Sequence, residues 1–166
     1  MGLETAHPAA LERLNKGFTL EQFARAARRL RARGASLRVF LLVGVPFVPR
    51  QEQEVWIARS VSFAFECGAS AVSLIPTRSG NGALEALQAA GEFQPPALGD
   101  LEAAFARGLA NGSGRVFADL WDLRAFSACA SCFDARYERL RCMNLEQRLL
   151  APVRCTACTE TLEGRL

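Results

Sequence analysis

Two pairs of cysteines lie near the C-terminal end of this 166-residue chain, CASC at Cys129 and Cys132 and CTAC at Cys155 and Cys158, with 22 residues between Cys132 and Cys155. Each CxxC turn points two thiolates at one place, and two such turns complete a tetrahedron around an ion. Four thiolates leave no open position for water, so zinc held this way folds a segment and is not set up for hydrolysis. A four-cysteine 4Fe-4S cluster is the rival occupant, because it uses the same ligands. Cys142 lies between the pairs as a spare ligand, while Cys67 at a helix end reads as a small buried apolar residue. Arg136, Arg139, Arg141, Arg148 and Arg154 surround the motif together with Phe133 and Tyr137, a set that can meet RNA phosphates and stack on bases. Asp134, Glu138 and Glu146 dilute that charge.

The rest of the chain must position this end and any other site. Half of its residues are apolar and 22% are charged, the balance of a folded globular protein. A net charge of +3, with Lys16 the only lysine, is too small to imply polyanion binding by itself. The longest apolar runs, such as Val39 to Val48, are far too short to cross a bilayer, so no membrane partner is expected. Paired CxxC thiols suit a reducing compartment, and a cytoplasmic location is expected.

Strand and helix signals alternate along the chain. Pro8 opens a short helix through Leu11 and Leu14, and Thr19 with Gln22 has capping-box spacing ahead of a helix through Phe23, Ala27 and Leu30 to Gly34. LRVFLLVG, from Leu37 to Gly44, and AVSLIP, from Ala71 to Pro76, are short apolar runs of the kind buried on both faces of a parallel sheet. Between them lie the loop VPFVPR and a helix from Gln51 to Cys67. Beyond them come the loop TRSGNG, helices through Ala83 to Ala90 and from Leu98 to about Ala110, and a strand in GRVFADLW. The basic residues Arg25, Arg28, Arg29 and Arg33 read as a solvated helix face. In a parallel sheet the working loops follow the carboxyl ends of the strands, here ETAHP, VPFVPR, TRSGNG and the stretch after FADLW.

MGLETAHPAALERLNKGFT, RVFLLVGVPF and VSLIPTRSGNG resemble, in that order, the later part of the catalytic barrel of radical S-adenosylmethionine enzymes. They come nearest to the branch with elongator-like proteins, tRNA methylthiotransferases and archaeosine-forming enzymes. The resemblance covers about residues 1–96 and implies that GLET ends the fourth barrel strand. It further implies that Glu4 touches the ribose of S-adenosylmethionine and that Lys16 partners its methionyl carboxylate. Gly44 would let backbone lie against the adenine, and Leu74 and Ile75 would give it apolar contacts. Arg78, in the loop with Asn81, would hold a carboxylate or phosphate. The family builds its radical-generating 4Fe-4S cluster on CxxxCxxC, and that motif does not occur in this sequence.

The expected fold is therefore α/β, the C-terminal half of a partial (β/α)6 TIM-type barrel, with residues 1–122 forming strands four to six plus an extra strand. Residues 123–166 form a small cysteine-rich metal-binding appendage. Met1 is expected to be an internal methionine, and the missing N-terminal half of the barrel, from the same gene or a separate chain, is the expected partner. The resulting function is a fragment of a radical enzyme that binds S-adenosylmethionine and substrate, with RNA modification in view and no radical-generating cluster of its own. The competing reading is a non-catalytic zinc module that contacts RNA or protein.

Overall fold

The computed structural model describes residues 1–80 and 82–158. Four strands, β1 (Gly2–Glu4), β2 (Arg38–Val43), β3 (Ala71–Pro76) and β4 (Arg115–Ala118), form one parallel sheet in the order β1-β2-β3-β4. The helices between and after them are α1 (Pro8–Arg13), α2 (Leu20–Ala32), α3 (Gln53–Glu66), α4 (Ala83–Ala89), α5 (Leu98–Asn111) and α6 (Ala130–Glu146). The sequence signals explain the boundaries. Thr19 and Gln22 close a capping box at the start of α2, with bonds of 3.3 and 2.7 Å, and Pro8 stands at the start of α1. No helix among the described residues is long and apolar enough to cross a membrane.

Side chains alternate across a strand, so one set of positions must share each face. Leu3, Val39, Leu41, Val43, Val72, Leu74, Val116 and Ala118 are all buried, and they share one core with Phe23 and Ala27 of α2, Val61 of α3 and Leu101 and Phe105 of α5. The alternate positions form the other face. There Phe40 pairs in register with Gly2 and Ser73, and Ser73 with Phe117. Phe40, Arg38 and Arg115 on that face are exposed, and Leu42, Ile75 and Phe117 are half-buried. The interior strands read as continuous apolar runs because both faces carry apolar residues, although α2, α3 and α5 bury only one of them, and on the other Leu42 packs against Ala10 of α1 with Val45 and Val48.

The two sheet edges differ. At β4, Gln147 accepts from the Val116 N-H and donates to the Val116 carbonyl, and Asn144 does the same with Ala118, all at 2.9 Å. Two side-chain amides at the end of α6 thus take the place of a fifth strand and satisfy an edge that would otherwise be free to pair. At β1 no strand lies outside among the described residues.

The segment after β4 shares the core of the sheet layer. Phe133, Leu140 and Met143 of α6 belong to the main apolar cluster. Beneath them Arg136 makes a buried, two-pronged pair with Glu102 of α5, at 3.2 and 2.7 Å.

Candidate metal centre and the carboxyl edge of the sheet

Cys129 is the N-cap of α6 and Cys132 lies in its first turn, so the helix start places both thiols on one side. Cys155 and Cys158 arrive on the chain that follows α6. Arg139 holds that chain in place, donating to the Leu150 carbonyl at 2.9 and 3.2 Å and to the Ala151 carbonyl at 2.9 Å. Its other guanidinium nitrogen reaches Glu102 at 3.5 Å. The result pairs Cys129 with Cys155 at 3.9 Å and Cys132 with Cys158 at 3.8 Å, and all four sulfurs lie within 4.8 Å of one another. Four soft donors this close can bind a metal such as zinc.

The thiols are not equivalent. Backbone N-H groups in the first turn of α6, that of Cys132 foremost, draw the Cys129 thiol down to about 7. Burial, followed by the neighbouring thiols, pushes Cys158 up to about 12. Cys129 is therefore the sulfur that offers a thiolate first. The spare candidate Cys142 is held at 3.5 Å by Glu138 on α6 and does not belong to the four-sulfur group, and Cys67 is buried in the core as the sequence suggests.

Most of the arginines around the motif are already engaged. Arg136 and Arg139 sit on Glu102, Arg141 on Glu138 at 2.6 Å and Arg148 on Glu146 at 2.6 Å. Phe133 is buried, with the Arg124 guanidinium 4.2 Å from its ring centre. Of the five, Arg154 alone has no ion pair among the described residues.

At the opposite corner, Glu4 ends β1 with φ at 67°, a sparsely populated backbone region for a residue with a side chain. The Thr5 N-H closes back on the Leu3 carbonyl at 2.9 Å, so Glu4 is the centre of a strained γ-turn, and the β1–β2 register shifts at the same place. Its carboxylate folds back over Gly2, where an added Cβ would lie 2.8 Å from Oε1. Lys16 Nζ meets that same oxygen at 2.8 Å. The two residues expected at the ribose and the methionyl carboxylate are thus direct partners.

The other candidates spread across the sheet end. Gly44 has φ at 76°, and Pro96 packs on it so closely that a Cβ would lie 2.7 Å from the ring. The cavity beside it measures ≈ 50 Å³, room for a few waters and far less than an adenine ring needs. Ile75 lies on the open face, whereas Leu74 points into the helix-covered core and is fully buried. Arg78 pairs with Asp119 at 2.9 Å and donates to the carbonyls of Pro76 and Trp121. Asn81 lies outside the described residues.

Glu102, Asn144, Gln147, Asp119 and Trp121 escaped the sequence reading. Only Trp121 left a signal, as a bulky aromatic placed directly after a strand. No family model, curated protein or solved structure matches the chain. Residue geometry therefore carries the functional reading.

Proposed function

We propose that the chain is the cofactor- and substrate-side part of a radical S-adenosylmethionine barrel, closed at one end by a structural zinc. The observation that carries this reading is Glu4, held at φ 67° at the carboxyl end of the first strand of a sequentially ordered parallel sheet. Backbone strain of this kind costs about 1–3 kcal/mol and is concentrated where it aims a functional group. The sheet order supports a barrel arc over a doubly wound sheet, which reverses strand order at a switch point. So does the open face opposite α2, α3 and α5, since a barrel turns that face inward.

In this reading Glu4 accepts hydrogen bonds from the ribose hydroxyls of S-adenosylmethionine. Lys16, 2.8 Å from the Glu4 carboxylate, would pair with the methionyl carboxylate, and Ile75 would offer an apolar contact from the open face. When bound, the cofactor would supply the 5′-deoxyadenosyl group released on cleavage of its S–C5′ bond, and the thiolates of the radical-generating cluster would have to come from outside residues 1–166. The free edge of β1 is where further strands pair, because Asn144 and Gln147 close the β4 edge.

Zinc is the preferred metal on geometry. A Zn–S bond of about 2.3 Å sets a tetrahedral sulfur edge of about 3.8 Å, and the paired sulfurs lie at 3.8 and 3.9 Å. A four-iron cube places each thiolate on a different iron and spreads the sulfurs well beyond the 4.8 Å that encloses them here. With all four positions filled by protein, the ion's task is to hold the residues after α6 against its first turn.

The test is anaerobic incubation of the purified chain with S-adenosylmethionine and dithionite, together with equilibrium dialysis of the cofactor. The chain binds it, Glu4→Gln does not, and no 5′-deoxyadenosine forms. Deoxyadenosine release by the chain alone, or binding indifferent to Glu4, overturns the reading.

A further inference from the structure

Two consecutive residues at the carboxyl end of β3 hold the buried side-chain polar atoms that lack any hydrogen-bond partner among the described residues, Thr77 Oγ1 and Arg78 Nε. Thr77 is only 7% exposed, and its N-H still continues the ladder by donating to the Val43 carbonyl at 2.9 Å. An orphaned hydroxyl and an orphaned guanidinium N-H on consecutive residues each cost stability that an apolar group would not.

The next strand end supplies the third component. Trp121 follows β4 and is 69% exposed, an unusual state for so large an aromatic ring, yet it is not loose. Its backbone N-H donates to the Asp119 carboxylate at 3.1 Å and its backbone carbonyl accepts from Arg78, so the chain under the ring is held. The Arg78 guanidinium lies 4.7 Å from the indole ring centre, with Phe126 beyond at 5.6 Å. The exposed indole with the Arg78 guanidinium over it thus stands just past the carboxyl edge of the sheet, next in sequence to the unpartnered Thr77 hydroxyl, where parallel folds place their ligands.

We propose that Thr77, Arg78 and Trp121 form a binding site for a nucleotide, with the base stacked on Trp121 and the phosphate on Arg78. Indole faces hold any base by stacking, and the planar guanidinium suits a phosphate. Asp119 and the Trp121 carbonyl now occupy the positions around Arg78 that phosphate oxygens take in the complex, so the chain carries its own weak competitor for the ligand. Arg78 Nε-H and the Thr77 hydroxyl gain partners when the phosphate displaces them. The site lies just past the ends of β3 and β4, two and three strands from the strand that carries Glu4, and does not depend on cofactor binding there.

Trp56 and Trp121 are the only tryptophans, so Trp56→Phe leaves Trp121 as the sole fluorescent reporter. Titration of that variant with AMP should give saturable quenching, with adenosine and inorganic phosphate each binding at least about tenfold more weakly. Arg78→Lys keeps the charge but lacks Nε-H and the planar fork, and should weaken AMP about tenfold. Thr77→Val removes the orphaned hydroxyl at constant shape. It should leave Tm unchanged or raise it while weakening AMP about fivefold, a combination that a merely structural threonine does not give. Glu4→Gln should leave AMP binding as it is. Absence of saturable quenching up to about 10 mM overturns the proposal. Equal affinity for adenosine and AMP, AMP binding insensitive to Thr77→Val, or loss of AMP binding in Glu4→Gln also overturns it. The last result would still leave Glu4 as a cofactor ligand, so the two readings fail separately.

Discussion

Asn144→Ala removes the two 2.9 Å hydrogen bonds that cover the Ala118 N-H and carbonyl on the outer edge of β4. Ala118 is 4% exposed, so both groups lose their partner in a place that water reaches poorly. An unsatisfied buried polar group costs about 1–3 kcal/mol, and at a sheet edge the lower end applies, giving about 2 kcal/mol for the two. Alanine recovers about 0.5 kcal/mol through its better helix propensity, which leaves a net loss of about 1.5 kcal/mol. Asn144→Asp is the sharper variant. It still accepts from Ala118 N-H but turns a second acceptor toward the Ala118 carbonyl, so it should be less stable than alanine. Urea unfolding should rank wild type above Asn144→Ala above Asn144→Asp, with the midpoint moving and the slope unchanged. A loss under about 0.5 kcal/mol, or aspartate more stable than alanine, would refute the edge cap. The directionality of the sheet, closed at β4 and open at β1, would go with it.

Three further outcomes follow from the same contacts. No side chain of residues 151–158 is fully buried, so the order of this segment is expected to rest on the metal and on Arg139. Trypsin should cut after Arg154 quickly in Cys155→Ser or chelator-treated protein and slowly in the zinc-loaded form, and zinc at 100 times its Kd should raise unfolding free energy by about 2.7 kcal/mol. Equal cleavage rates would show that the metal does not hold this segment. Glu102→Gln strips the counter-charge from the Arg136 and Arg139 side chains, 7% and 9% exposed, and should cost about 3–5 kcal/mol in urea unfolding, against under about 1 kcal/mol for the exposed Glu138→Gln. Similar losses from the two variants would mean that burial of the pair is energetically unimportant. Burial pushes the Cys67 thiol above its ordinary 9.0, so the folded state resists its ionisation. Its contribution to stability is complete below pH 9.0 and is lost as pH rises toward the folded value. Wild type should lose stability above pH 9.0 more steeply than Cys67→Ala, and parallel curves would contradict this.

What the sequence made legible was what is local. The capping box at Thr19, the apolar strands around Leu41 and Leu74 and the two CxxC turns each carry their signal within a few residues, and each lies where spacing placed it. The bulge and γ-turn at Glu4 were not legible, because the strain is set by pairing with β2, about 37 residues away along the chain. Glu102 looks like a surface acid within an amphipathic helix until α6 brings Arg136 over it. Asn144 and Gln147 read as ordinary polar residues at a helix end, since nothing nearby reveals that they face a strand edge. The arginines around the cysteines suggested a polyanion surface by composition, but ion pairing within the fold engages most of them. Gly44 was legible as a glycine that must stay small, but the neighbour that requires it, Pro96, comes from a loop 52 residues later.

The most direct test of the central claim is binding of S-adenosylhomocysteine to the zinc-loaded chain, followed by ligand-observed NMR in wild type and Glu4→Gln. Glutamine keeps the shape of the side chain and removes the charge that meets Lys16 at 2.8 Å, and the thermal midpoint of each protein is recorded alongside. The account predicts saturable binding at about millimolar concentration in wild type, lost in Glu4→Gln at nearly constant midpoint. Absent binding, or the same binding in both proteins, would contradict it.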